Sequence, residues 1–183
     1  RRRYVVYDIP KLLPVERMTA VTRRDLAGNS PGNYLIVAPQ EFLGDIQPLI
    51  DLRTSLGLDV LVTPTQSIYD EFNGGRKSAH ALKRFFRYAY DNWNTEFVFL
   101  LGDGSEDPQR LLGRDPDFFP DGNAGPDWVP AQKVMGPVPA NDLREAIPSD
   151  TWLVNFVSAP IDSSSLPAMF IGRIPAYNAN DLQ

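Results

Sequence analysis

The chain has 183 residues, enough for one domain with a sizeable core, and no cysteine, which excludes disulfides, thiolate metal sites and a cysteine nucleophile within these residues. The formal net charge of −5 makes nucleic acid an unattractive partner, because phosphate contacts need clustered Lys and Arg and the only dense basic run is residues 1–3. No apolar run approaches the ~18–20 residues of a membrane span.

Residues 1–33 read as a lead-in arm. A short strand is predicted at 4–7, Pro14 interrupts the mixed stretch at 12–26, and Gly28-Asn29-Ser30-Pro31-Gly32 is a turn cluster. The chain starts at Arg1 without a Met and shows no signal peptide, as expected of an excised or processed piece.

The regular pattern begins with Tyr34–Ala38 (YLIVA), a continuous apolar run between turn signals, as in a strand covered on both faces. Residues 42–56 have helical spacing, with Ile46, Leu49, Ile50 and Leu56 near one face, Pro48 near the start and Gly57 after the end. A second strand is expected at 59–63, then one or two helical turns around Ile68 and Phe72, broken by Gly74-Gly75. The clearest helix is 77–93, where Leu82, Phe85, Phe86, Ala89, Tyr90 and Trp93 recur at helical offsets and Lys83, Arg84, Arg87 and Asp91 occupy the other side. Phe97–Leu101 is the third strand. This alternation predicts an α/β fold, a mostly parallel sheet flanked by helices, with right-handed crossovers and strand order 2-1-3. A switch-point crevice then falls between the ends of the first and third strands, next to Asp103.

The third strand leads into an acidic, glycine-bearing loop, the whole stretch reading FVFLLGDGSEDP over residues 97–108. Residues 109–148 form a long region rich in Pro and Gly. Strands are expected at 152–157 and 169–174, and Asn178 as the cap of a helix beginning at Ala179, close to the last residue, which again reads as truncation.

The chemistry available is narrow. His80 is the one histidine and reads as a solvated residue near a helix start, remote from the strand ends. No G-x-S-x-G elbow, P-loop or complete G-x-G-x-x-G follows a strand, and Ser163–165 have no base beside them in sequence. A phospho-acceptor receiver needs acids at the end of the first strand, where Ala38-Pro39-Gln40 stand instead. The surviving local hypothesis is a Ca²⁺ site of hard oxygen ligands, Asp103, Glu106, Asp107 and Asp150. The alternative is that Asp103 caps the backbone after the strand while Glu106 and Asp107 are solvated.

An ordered set of short motifs carries a resemblance. They are YLIVA, Leu56-Gly57-Leu58-Asp59-Val60, Ile68-Tyr69-Asp70-Glu71-Phe72, Phe85-Phe86-Arg87-Tyr88-Ala89-Tyr90, Leu100-Leu101-Gly102-Asp103-Gly104, Val129-Pro130-Ala131, Pro148-Ser149-Asp150 and Phe170-Ile171-Gly172-Arg173-Ile174. From about Tyr34 to the end, the chain resembles the N-terminal half of the catalytic domain in the gingipain family of cysteine peptidases. The resemblance implies a caspase-like fold whose His, in a Gly-His-Gly setting, and Cys nucleophile lie in a downstream second subdomain, so no catalytic residue carries over. It implies structural or interface roles for Asp103 and Asp150, a protein or peptide substrate bound through the downstream half, no required cofactor, and export from the cell. Residues 34–183 would then be a non-catalytic first subdomain. The competing class is a stand-alone flavodoxin-like binding or scaffold module using the acidic crevice for Ca²⁺ or a partner protein.

Overall fold

A computed structural model describes residues 20–21, 25–28, 31–105, 126–135, 146–156 and 166–182. The strand foreseen at 4–7 lies outside them.

Four parallel strands form the main sheet, β1 (Tyr34–Ala38), β2 (Val60–Pro64), β3 (Phe97–Leu101) and a late strand, β6 (Phe170–Ile174), in spatial order β2-β1-β3-β6. The predicted order 2-1-3 holds, and β6 adds itself beside β3. β1 is buried along its whole length, which is why its sequence is apolar without alternation. Side chains at even positions of β1 (Tyr34, Ile36, Ala38) face one layer and those at odd positions (Leu35, Val37) the other.

The first layer is thin. It holds Phe42, Ile46 and the half-buried Leu49 and Ile50, contributed by a turn at Gln40–Phe42 and helix α1 (Gln47–Ser55). The helix is shorter than its apolar spacing suggested, because Pro48 fits only the first turn and fixes the start there. Leu56, placed on the buried face by periodicity, is exposed beyond the helix end, just before Gly57 at φ +83°.

The second layer is thick. Helix α2 (Thr65–Asn73) is a full nine residues rather than one or two turns, ended by Gly74 in the left-handed region. Helix α3 (Ala79–Trp93) buries Leu82, Phe85, Phe86, Ala89 and Trp93 against the sheet, with Ser78 as its N-cap, accepting from the His80 N–H. Tyr90, counted with that stripe by spacing, sits at its margin, half exposed with its ring on Phe156. Leu26, within the predicted arm, joins this core, its N–H held at 2.7 Å by the Glu71 carboxylate of α2.

Two corrections concern the second half of the chain. Inside the region read as irregular, β4 (Gln132–Met135) and β5 (Ala146–Ser149) pair antiparallel as a separate two-stranded sheet. The strand expected at 152–157 is instead a short helix, α4 (Thr151–Val154). Consecutive Leu153 and Val154 are both buried, and a short, wholly apolar run has no periodicity to separate strand from helix. The Ser149 hydroxyl accepts from the Trp152 N–H and the Asp150 carbonyl from the Leu153 N–H, and these bonds turn the chain. At the far end Asn178 does cap, accepting from the Asn180 N–H, and Ala179–Leu182 is a 3₁₀ turn.

Candidate functional site

At Gly102 the chain must leave the sheet, and its φ of +121° is a conformation that side-chain-bearing residues rarely adopt. A Cβ there would also stand 2.9 Å from the Cβ of Trp128 and 3.3 Å from the rings and methyls of Phe42 and Val129. Gly104 is equally enclosed, with its missing Cβ 2.9 Å from the Val129 carbonyl oxygen. Between them the Asp103 carbonyl accepts from both the Trp128 and Val129 N–H groups, while Asp103 Oδ1 accepts from the Gly104 N–H at 2.8 Å. The Gly-Asp-Gly sequence is thus a seat on which residues 128–131 lie. The predicted switch-point crevice is filled, because Trp128 and Phe42 pack ring against ring, 5.2 Å apart, above the strand ends.

The seat is locked by Arg173. Its Nε and Nη2 donate to the two carboxylate oxygens of Asp150 at 2.8 and 2.6 Å, and its Nη1 donates to the carbonyls of Gly102 and Val129 at 2.7 and 2.8 Å. One guanidinium therefore ties β6, the end of β3, the 128–131 segment and the start of α4. Arg173 retains 12% of its side-chain exposure and Asp150 26%, so the pair is largely withdrawn from water. The planar fork suits this task, since a lysine has no second parallel donor for the carboxylate.

A second ion pair flanks the first. Lys77, just before α3, reaches Asp127 Oδ2 at 3.0 Å and also its carbonyl, while Asp127 Oδ1 accepts from the Ser105 N–H. Beneath lies Tyr69 of α2, whose phenol burial pushes well above its ordinary range, with the Asp127 charge adding to the rise. On the same side Lys83 Nζ stands 3.9 Å from the centre of the Trp152 ring and donates to the Trp152 carbonyl, and burial lowers its pKa. His80 is exposed as expected, but it is not remote from the strand ends. A helix returning to a parallel strand starts at that end of the sheet, and the His80 ring meets Trp152 edge-on at 4.9 Å.

Of the residues proposed from sequence for a cation, Asp103 and Asp150 belong to this junction, and Glu106 and Asp107 lie outside the described residues. Among the described residues no group of three or more His, Asp and Glu gathers closely enough to hold a metal ion. The residue that sequence reasoning passed over is Arg173. Its signal was available, for a charge between Gly172 and Ile174 in an apolar strand demands a partner. The short motifs Gly-Asp-Gly, Val-Pro-Ala, Pro-Ser-Asp and Ile-Gly-Arg, far apart in sequence, meet at this one point.

The described residues contain no helix long and apolar enough to cross a membrane. A search of curated proteins finds no match. Among solved structures, the chain is similar to that described as the crystal structure of dimeric latent PorU from Porphyromonas gingivalis, with a TM-score of 0.63 at 19% identity. The similarity covers 85% of this chain and 15% of that one, so the chain spans a small part of its structural relative. At that identity the likeness concerns the fold, a parallel sheet flanked by helices. The sequence model of Peptidase family C25, the gingipain family, matches residues 27–183. The chain, with its junction built from widely separated motifs, belongs to peptidase family C25.

Proposed function

We propose that these residues are the non-catalytic first subdomain of a gingipain-like cysteine endopeptidase, a rigid platform for a downstream subdomain that carries the Cys and His. The observation that carries this reading is a mismatch. The match to a cysteine-peptidase family runs over residues 27–183, yet the chain has no cysteine, and the residues gathered at its strand ends are spent on one another. A thiolate activated by His, with backbone N–H groups stabilising the oxyanion, would have to come from elsewhere in the polypeptide. The substrate would be a protein or peptide met by that half, outside the cell as befits the family.

Two measurements test this. The purified 183-residue chain should cleave neither casein nor a mixed peptide library, and cleavage that survives removal of contaminants would overturn the reading. The coding sequence beyond Gln183 should encode a Gly-His-Gly and then a strand ending in Cys, whereas an unrelated domain would favour a scaffold. Ca²⁺ at Asp103, Glu106, Asp107 and Asp150 is a separate proposal. It requires the Asp150 carboxylate to share or exchange Arg173 for the ion, and an unchanged melting midpoint in Ca²⁺ and in chelator would remove it. A rise in Ca²⁺ would establish binding to the folded chain.

A further inference from the structure

The outer face of α3 runs against the charge of the whole chain, which is −5. His80, Lys83, Arg84 and Arg87 follow one another at i, i+3, i+4 and i+7, so all four line one face of the helix. By spacing alone this is the outward side of an amphipathic helix. In the fold it borders a second row, of aromatic rings. Trp152 of α4 lies against His80 and Lys83, and Phe156, just beyond α4, lies against Arg87 and Tyr90. A cavity of about 320 Å³ opens there, lined by the four basic side chains and Phe156. That size is near the lower bound for ligand pockets.

Each cation is already oriented and keeps donors in reserve. Lys83 Nζ gives one N–H to the Trp152 carbonyl at 2.9 Å, which leaves two. Arg84 bonds the Phe72 carbonyl and Asn73 Oδ1 through Nε and Nη2, which leaves Nη1. Arg87 meets Asp91 Oδ2 through Nε at 2.5 Å, with its guanidinium carbon 5.4 Å from the centre of the Phe156 ring, which leaves both Nη groups. Side chains ordered before binding spare a complex the entropy loss that makes ordinary surface ion pairs weak.

The row is also short of counter-charge. Among the described residues, Asp91 is the one carboxylate that pairs with any of Lys83, Arg84 and Arg87, and it meets only Arg87. The partial burial that lowers the Lys83 pKa marks an ammonium with too little solvent around it, and an anion beside it would offset that.

We propose that this groove binds an extended acidic peptide segment of a partner protein, with its carboxylates on Lys83, Arg84 and Arg87 and an apolar or aromatic side chain on Phe156. From His80 to Tyr90 the helix rises roughly 15 Å at ~1.5 Å per residue, the reach of about five extended residues at ~3.3 Å. Three cations ended by Asp91 make too short a track for a nucleic-acid backbone, which the acidic remainder of the chain also repels. Asp91 sets one limit of the site, because a ligand carboxylate placed beyond Arg87 would meet it. That is the end where Phe156 and Tyr90 offer their rings to the apolar residue. The groove uses none of the residues of the Arg173 junction and stands apart from the platform reading.

The probe is a fluorescein-labelled heptapeptide, Gly-Asp-Glu-Phe-Asp-Glu-Gly, titrated with the chain and followed by polarisation. Binding should saturate, weaken severalfold as salt rises from about 0.05 to 0.5 M, and move backbone amide resonances along 80–87 and 152–156. A peptide with Ser in place of Phe should bind severalfold more weakly. Arg87→Glu should weaken binding about tenfold or more. Its melting midpoint should stay within a few degrees, since Arg87 is half exposed and its pair with Asp91 is an i,i+4 surface pair. The same variant should gain affinity for a peptide with Lys in place of one acidic pair, a rescue that a merely structural role would not produce. Arg87→Gln, which removes the charge without reversing it, should fall between. Absence of saturable binding overturns the proposal, as does binding undiminished in Arg87→Glu, or resonance changes confined to other faces. Tighter binding of an oligothymidylate of equal charge would overturn it in favour of nucleic acid. A concentration-dependent dimer abolished by Arg87→Glu would overturn it in favour of a second copy.

Discussion

Arg173→Ala is expected to lower the unfolding free energy of this chain by about 3–5 kcal/mol, measured by urea denaturation followed by circular dichroism. That is the range for removing one partner of a largely desolvated, hydrogen-bonded ion pair. The substitution leaves the Asp150 carboxylate without its counter-charge and strips a charge-assisted donor from the Gly102 and Val129 carbonyls. Arg173→Lys should recover only part of the loss, because an ammonium cannot serve the carboxylate bidentately and both carbonyls at once. The pair Arg173→Met with Asp150→Leu should cost less than the two single losses summed, since neither charge is then stranded, and a double-mutant cycle reads the coupling. Losses below ~1 kcal/mol for Arg173→Ala would place the pair with solvated surface bridges and remove it as the lock on the strand ends.

Gly102→Ala is the second large effect, expected at about 3 kcal/mol. Two independent costs combine. The backbone at φ +121° is strained for any residue with a Cβ, and the new carbon would sit 2.9 Å from Trp128 Cβ, so the 128–131 segment must lift from its seat. The lift should be visible separately from stability, as a red shift in the emission of Trp128 as it moves off Phe42, with the other two tryptophans replaced by phenylalanine. A variant of unchanged midpoint and emission would mean that the turn relaxes without cost, and the seat would lose its explanation.

The frame of this fold was legible because its signals are local. β1 and β3 are unbroken apolar runs stopped by Pro39 and Gly102, and α3 announces itself by spacing and by Ser78 at its start. The failures also have local causes. Leu56 and Tyr90 obey the helical period but fall at an end or a margin, where period no longer implies burial. The run from Trp152 has too few residues to carry a period, and the turn at Ser149 and Asp150 decided it. The junction itself could not be assembled by spacing. Arg173 lies 23 residues from Asp150 and 71 from Gly102, and two of its acceptors are main-chain carbonyls, which every residue owns. An acidic loop after a buried strand looks like a place for chemistry, and only the contacts around Asp103 show how much of that loop is occupied in holding the chain together.

The way β6 attaches has a consequence for how the polypeptide can be divided. The described residues up to Ser105 make β1, β2 and β3 with α1, α2 and α3, whereas β6 and α4 come from residues after 125. These two portions share the β3–β6 ladder, the Arg173 grip on the Gly102 carbonyl and the Lys83 contact with Trp152. Cut between residues 105 and 126, the protein becomes a natural split pair, whose halves should reassemble in a concentration-dependent way, and the change in their affinity on Arg173→Ala would report the strength of that one guanidinium.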